Sequence, residues 1–321
     1  MNRQLATDAV RDIFRLDVLS GLSKKNKSLP CKYLYDERGS QLFDRICETD
    51  EYYPTRTELQ IMEENADSIA NQIGERVMLV EYGSGSSIKT VKLLESLRDP
   101  AAYVPVDISE EHLLRTAENL RSAFPDIAVL PVVADFTQPF ELPKTGCDFS
   151  HIALYFPGST IGNFTPAAAG ELLEFMSSML GDHGGLLIGI DLQKSPAVIE
   201  AAYNDALGVT SEFSLNLLKR INSELDGNFD LDQFKHKAVY QSNEHRIKVS
   251  IVSGRAQTVM IAGQEFDFEE GEEILTEYSH KYTIDGFADF AAQYGFSLHK
   301  HWTDPRQYFG LLHLVLDAPL P

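Results

Sequence analysis

Only three of the 321 residues are cysteine: Cys31, Cys47 and Cys147. They form no CxxC pair and their number is odd, which argues against a disulfide framework and against a zinc site. A reducing cytoplasm is therefore the expected location. No apolar run reaches the roughly 18 residues that a membrane-crossing helix needs. The opening MNRQLATDAVRDIF lacks the apolar core of a signal peptide and reads as the start of an amphipathic helix. Basic residues are scarce, 28 against 48 acidic ones, for a formal charge of -20. Such a field repels phosphate backbones and anionic headgroups, so neither nucleic acid nor a membrane surface is expected as partner. It suits a small zwitterionic or cationic substrate, although an acidic surface also serves plain solubility. Repeats, low-complexity segments and an obvious interface stripe are all missing, and a monomer is the expected state.

What is present is a large apolar and aromatic content, 43% hydrophobic with 18 Phe and 13 Tyr, enough for a sizeable core. Residues 1–57 are helical in pattern, with turns expected at Lys27-Ser28-Leu29-Pro30 and Glu37-Arg38-Gly39. A helix capped by Thr55 or Thr57 is expected to run from Glu58 to Ile73. Short apolar strands then alternate with helices. The strands are 77–82, 102–107, 127–134, 151–156 and 185–191. This rhythm predicts an α/β fold with a parallel sheet covered by helices on both faces. Ligands of such sheets lie beyond the carboxyl ends of the strands. From Ser195 to Leu218 the pattern predicts one helix containing Tyr203, and from Ala238 to Tyr278 it predicts antiparallel strands with a turn at Gly263-Gln264. A last helix (283–294) and an antiparallel pair (296–302, 308–316) would complete the first sheet. The domains expected are 58–193 plus 283–321 for the cofactor and 1–57 plus 194–282 as a second, α+β lobe for substrate.

The first strand runs into Glu81-Tyr82-Gly83-Ser84-Gly85-Ser86-Ser87 and then a helix. Glycines here permit a tight turn and close approach of a ligand. Dinucleotide sites begin the same way, so the turn alone does not discriminate. The third glycine of GxGxxG is missing. Asp107 ends the second strand, where a carboxylate can accept from two ribose hydroxyls. Asp135-Phe136 follows the third, offering a carboxylate for an exocyclic adenine amine and a ring beside the base. Each of these residues alone could be a cap or a turn residue. As a set at successive strand ends they look like a class I methyltransferase that uses S-adenosylmethionine, with a Rossmann-like sheet.

Phe156-Pro157-Gly158-Ser159-Thr160-Ile161-Gly162-Asn163-Phe164 follows the fourth strand. Its small residues permit close approach, and Asn163 offers a donor and an acceptor or, more plainly, a turn. Together with Glu51-Tyr52-Tyr53-Pro54-Thr55-Arg56-Thr57-Glu58 and Leu275-Thr276-Glu277-Tyr278-Ser279, it closely resembles the histidine-specific methyltransferases of ergothioneine biosynthesis. The resemblance extends to Lys32-Tyr33-Leu34-Tyr35-Asp36, Ala202-Tyr203-Asn204-Asp205 and Trp302-Thr303-Asp304-Pro305. It implies trimethylation of the α-amino group of L-histidine to hercynine, with S-adenosylmethionine as cofactor. By matching position it implies cofactor contacts at Tyr35, Gly83, Lys89, Asp107, Asp135 and Phe136. Substrate contacts would fall on Tyr52, Gly158, Asn163, Tyr203, Val249, Glu277 and Ser279, with Tyr52 and Asn163 orienting the reacting amine. Glu277 and Ser279 are two apart on one strand and so face the same way, and a carboxylate with a hydroxyl suits the two nitrogens of an imidazole. Val249 departs from the family pattern, which often has methionine there; a shorter side chain widens the pocket. An N-methyltransferase for another aromatic amino acid such as tryptophan is the alternative, and a non-catalytic cofactor-binding module is a more remote one.

Overall fold

The computed structural model describes residues 2–85, 88–181 and 184–316, with side chains from residue 11 onward. Helices α1 (Asn2–Leu22) and α2 (Glu37–Glu48) are separated by a short 3-10 turn at Cys31–Leu34. The expected turn at Glu37-Arg38-Gly39 is instead the first turn of α2. The Asp36 carboxylate accepts from the Gly39 N–H at 2.6 Å and caps it, so these residues continue as helix. Helix α3 (Tyr53–Glu64) begins early, with Thr55 and Thr57 inside it. It stops at Asn65, whose side-chain amide donates to the Ile61 carbonyl at 2.8 Å and competes with the helical ladder. The expected single helix is therefore two, and α4 (Ala66–Ile73) follows.

Then come β1 (Met78–Tyr82), α5 (Ile88–Ser96), β2 (Ala102–Asp107), α6 (Glu110–Ala123), β3 (Ala128–Val129) and β4 (Val132–Val133). The last two pair with β2 in a single register but are interrupted, where one strand was expected. Pro131 lies in the gap and has no N–H to give to a ladder. Next are β5 (Ile152–Phe156), α7 (Pro166–Leu180) and β6 (Gly185–Asp191). The helix expected over 195–218 is divided into α8 (Pro196–Ala202) and α9 (Val209–Glu224), and Tyr203 lies just beyond the first. Asp205 causes the break: its two carboxylate oxygens accept from the N–H groups of Val209 and Thr210, each at 2.8 Å, so a new helix starts there. Strands β7 (Phe234–Gln241), β8 (Arg246–Ser253), β9 (Gln257–Ile261), β10 (Gln264–Phe268) and β11 (Glu273–His280) precede α10 (Ile284–Ala292), β12 (Phe296–Thr303) and β13 (Phe309–Leu316). The β9–β10 hairpin turns at Ala262-Gly263, one residue before the expected place, with both residues at positive φ (49° and 81°). Two such residues match the twist of the strands they join.

The chain divides into two compact units. Tyr53–Ser195, Glu244–Arg246 and Ser279–Pro321 form the larger. Its sheet has the order β12-β13-β6-β5-β1-β2-β3, with β4 also on β2. The β6-β5-β1-β2-β3 portion is parallel, and β13 and β12 run antiparallel at one side. Alternation along the strands feeds two cores. Met78, Val80, Tyr82, Leu154 and Phe156 face α7 and α10. Leu79, Tyr103, Tyr155 and Leu187 face α3, α4, α5 and α6. Burial on both faces is why these strands read as unbroken apolar runs. The architecture is the doubly wound α/β sheet that the sequence predicts.

The smaller unit comprises Met1–Tyr52, Pro196–Asn243 and Ile247–Tyr278. Here α2 packs along α9, tied by Arg38 and Arg45 to Glu212 and by the Asn216 amide to Asp36 at 2.8 Å. A three-stranded sheet, β11-β8-β7, and the β9–β10 hairpin complete an α+β unit.

Candidate active site

In the larger unit the sheet's topology brings the carboxyl ends of β1, β2, β4, β5 and β6 to one edge. At the end of β1, Gly83 (φ 71°) and Gly85 (φ 46°) are left-handed, a conformation in which a Cβ is costly. The Gly83 N–H donates to the Val106 carbonyl at 2.8 Å, so the turn is bound to the next strand. Asp107, at the end of β2, accepts from the Gly85 N–H at 3.4 Å and the Ser109 N–H at 2.9 Å. Burial pushes its carboxyl up, against the pull of those two amides. The Phe136 ring stacks on Tyr82 at 5.3 Å and lies 3.7 Å from where a Gly83 Cβ would stand. Gly83, Asp107 and Phe136, separate in the sequence, are thus gathered around one turn. Asp135 accepts from the N–H and the hydroxyl of Thr137 through Oδ1. Ser86 and Ser87, the end of the glycine motif, lie outside the described residues.

Lys89 reaches back from α5 to Glu58 on α3, Nζ to Oε2 at 2.7 Å. The same oxygen accepts from the Gly158 N–H at 2.9 Å, and the Tyr155 hydroxyl donates to Oε1 at 3.3 Å. A carboxylate with no exposure is stabilised only by such partners. Glu58 thereby ties Lys89 to Gly158, two residues expected to serve cofactor and substrate respectively. After Gly158 the chain passes through Ser159 (φ 59°) into a 3-10 turn, Thr160–Asn163, which places Asn163. Gly162 is a close approach: a Cβ there would stand 2.8 Å from the His280 carbonyl oxygen. The His280 ring in turn bonds the Gly162 carbonyl at 2.9 Å, its Nδ1 donating.

Two buried carboxylates flank these loops. Glu81 accepts from the hydroxyls of Thr90 (2.5 Å) and Tyr103 (2.6 Å); burial pushes its carboxyl up to about 7 against those two bonds. Asp191, at the end of β6, meets Lys194 (2.5 Å), Lys281 (2.7 Å) and the Tyr53 hydroxyl (2.8 Å). Lys281 also donates to Ser279 Oγ at 2.8 Å. Backbone bonds hold this segment, since the Tyr282 N–H donates to the Asp191 carbonyl at 2.9 Å and the Gln193 N–H to the Tyr282 carbonyl. Sequence reading missed Glu58, Tyr53, Asp191, Lys194 and Lys281. Their positions are up to 228 apart in the chain, and although Tyr53 and Glu58 lie inside a family motif, nothing local shows which groups they hold.

In the smaller unit an aromatic cluster carries three of the expected residues, Tyr35, Tyr52 and Tyr203. Tyr35 packs edge-on against Phe43 and Phe213, Phe43 against Tyr52, and Tyr52 against Tyr203, with centroids 5.4 to 6.4 Å apart. Burial pushes the phenols of Tyr35 and Tyr52 well up, and the negative charge of Glu277 adds to both. Both therefore remain protonated at neutral pH. The cluster is held from below. The His236 ring donates to the Tyr203 carbonyl at 2.9 Å, and the Ser214 hydroxyl meets its other nitrogen. Val249 is buried with Ile199, Ala238 and Ile247, and Tyr203 lies against them. Among the described residues, no group of three or more His, Cys, Asp or Glu is placed to hold a metal ion, and no helix is long and apolar enough to cross a membrane.

A doubly wound sheet with a left-handed glycine turn and a half-buried acid at the next strand end defines a nucleotide-type ligand edge in an α/β enzyme. The sequence family described as "Histidine-specific methyltransferase, SAM-dependent" matches residues 14–316, and the chain belongs to it. The chain is 39% identical to the histidine N-alpha-methyltransferase of Mycolicibacterium smegmatis over 96% of both proteins. It is 29% identical to ergothioneine biosynthesis protein 1 of Schizosaccharomyces pombe, over 81% of this chain and 35% of that protein. An L-tryptophan methyltransferase of Psilocybe serbica is 27% identical over 94% of this chain and 92% of that protein.

Proposed function

We propose that the chain transfers methyl groups from S-adenosylmethionine to the α-amino group of L-histidine, three times in succession, giving hercynine as the first step of ergothioneine formation. The observation that carries this reading is the full-length likeness to a histidine N-alpha-methyltransferase, 39% over 96% of both chains. The local chemistry agrees with it. The left-handed Gly83–Gly85 turn leaves room for the cofactor's amino-acid end, and Lys89, anchored on Glu58, keeps further donors for its carboxylate. Asp107 is two-pronged and half-buried, as suits a ribose diol. Asp135 offers Oδ2 to the adenine amine, Phe136 a ring to the base, and Tyr35 completes the cofactor set. When bound, the cofactor supplies an activated methyl group to a neutral amine. The chain's task is then to position that amine, and orientation of this kind is worth several orders of magnitude in rate. Tyr52, Asn163 and Gly158 are assigned to the amine and carboxylate, and Tyr203 to the carboxylate. Glu277 and Ser279 are assigned to the imidazole and Val249 to its apolar wall. As N–H donors are lost with each methyl, the electron-rich faces of Tyr52 and Tyr203 stabilise the growing cation. The same reading makes the enzyme a cytoplasmic monomer acting on a free amino acid, in keeping with its charge of -20.

One observation favours a second substrate. Val249 stands where the family often has methionine, and a tryptophan methyltransferase is among the full-length relatives. The deciding experiment incubates the protein with S-adenosylmethionine and, separately, L-histidine, L-tryptophan and L-tyrosine, and follows products by mass spectrometry. Mass gains of one, two and three methyl groups on histidine are expected. Faster turnover of tryptophan, or no methylated histidine, would overturn the assignment.

A further inference from the structure

Just past the end of the strand that carries Ser279 stands a residue to which the proposed function gives no role. Lys281 is 3% exposed, and its ammonium donates to Asp191 Oδ2 at 2.7 Å and to Ser279 Oγ at 2.8 Å. An ammonium has donors only, so in this pair the serine oxygen must be the acceptor. The hydroxyl has a single proton, and that proton is directed away from Lys281. Lys281 cannot rotate out of the arrangement cheaply. Asp191 holds it as an ion pair inside the protein, and the main chain on either side is fastened by the Lys281 N–H to the His245 carbonyl (2.7 Å) and the Tyr282 N–H to the Asp191 carbonyl. Asp191 is itself fixed, by Lys194, by the Tyr53 hydroxyl and through its own N–H, which donates to Ser159 Oγ at 2.8 Å.

We infer that Lys281 is a positioning residue that sets the polarity of Ser279, making its hydroxyl a hydrogen-bond donor toward the substrate, so that Ser279 reads a bare, unprotonated ring nitrogen. This rests on the proposed assignment of Ser279 to the imidazole of histidine. A serine free of such a partner rotates and serves a ring N–H or a ring nitrogen equally. With one lone pair taken by the ammonium and its proton turned away from Lys281, it favours a bare ring nitrogen over a ring N–H. Lys281 thereby extends substrate selection from the strand to the end of β6 through Asp191, without touching the substrate.

The test is a double-mutant cycle on histidine binding, measured by calorimetry with S-adenosyl-L-homocysteine present, for wild type, Lys281→Met, Ser279→Ala and the double variant. Methionine keeps the length of the lysine chain and removes its donors, and Asp191 keeps Lys194. We expect Lys281→Met to weaken histidine binding about tenfold, the size of one charge-assisted hydrogen bond, with affinity for S-adenosyl-L-homocysteine within about twofold of wild type. In the Ser279→Ala background the same change should have an effect of less than about twofold, because a clamp with nothing to clamp has no function. In turnover, KM for histidine should rise with little change in kcat. An equal loss in both backgrounds would overturn the inference, since Lys281 would then act independently of Ser279. So would a parallel loss of S-adenosyl-L-homocysteine binding, which marks a general structural role. If Lys281→Met is not folded by its thermal melt, the cycle is run in Asp191→Asn, where Asp191→Asn/Lys281→Met removes both charges together, and the same outcomes decide. Failure of the wild-type protein to bind histidine at all would instead sink the underlying function, which separates the two.

Discussion

Glu81 and Asp191 are both carboxylates at the carboxyl end of a parallel strand, both 1% exposed, and they respond to burial in opposite ways. Glu81 meets two hydroxyls, and burial prevails, holding it near 7. For Asp191 burial also pushes upward, but Lys281 and Lys194 more than reverse it and its carboxyl lies below the usual range. Equal desolvation thus gives a proton-holding acid at β1 and a fixed anion at β6, and the charge of the partners decides which. One of the two lysines is affected in turn: burial draws Lys194 down to about 8 against the pull of Asp191. The β6 end is a pre-set framework for the loops around Ser159 and Ser279. The β1 end carries, just before the glycine turn, an acid held near 7.

The contrast is broken most severely by Asp191→Ala. It leaves two buried ammoniums without their anion, and unfolding by denaturant should show a loss of about 3–5 kcal/mol. Next in size is the pH dependence of stability. Glu81 is raised from about 4.5 to about 7, so its contribution is full below pH 4.5 and is lost as pH rises through 7. By linkage this is on the order of 3 kcal/mol across that window. Asp191 has the opposite sign: its contribution is present above about pH 4, near its ordinary value of 3.8, and is lost as pH falls further. Glu81→Gln should therefore flatten the stability profile between pH 4.5 and 7 and leave the acid limb intact, and Asp191→Asn should do the reverse. Denaturant melts at a series of pH values check both, and identical profiles for the two variants would show that the two acids do not differ as described. A smaller effect is expected two residues beyond Glu81. Gly83→Ala places a Cβ at φ 71°, with ordinary clearance of 3.7 Å to Phe136, so the cost is backbone strain of about 1–2 kcal/mol. S-adenosyl-L-homocysteine affinity should fall while histidine affinity measured alone does not. The smallest effect belongs to Thr90→Val, which removes one donor from Glu81. It should cost about 1 kcal/mol above pH 7 and less below pH 5, where the carboxyl is protonated.

Much of the larger unit was legible because its physics is local and periodic. Strands buried on both faces appear as apolar runs, and Gly83, Asp107 and Asp135-Phe136 stand at their ends because the runs stop there. The errors have a common cause. Asp36, Asn65 and Asp205 each use a short polar side chain to start or interrupt a helix, and hydrophobic periodicity does not register a single hydrogen bond of that kind. Pro131 interrupts β3 and β4 for the complementary reason, a missing donor. Of the site, the tyrosines and Glu277 were accessible through long motifs carrying the family resemblance. Glu58 lies inside one of those motifs, yet nothing local says that it holds Lys89 and Gly158.

By itself, then, the sequence determined the order of strands and helices, the strand ends that a cofactor would meet, and membership of a histidine-specific family. Those properties depend on residue type and spacing along the chain. Only the tertiary structure decided that Glu81 is a protonatable acid and Asp191 an anion, and that Ser279 is clamped by Lys281. A carboxylate's charge state and a hydroxyl's direction depend on which groups share its low-dielectric surroundings. Here the decisive partners come from Tyr53, Thr90, Lys194 and Lys281, which only folding brings to the strand ends.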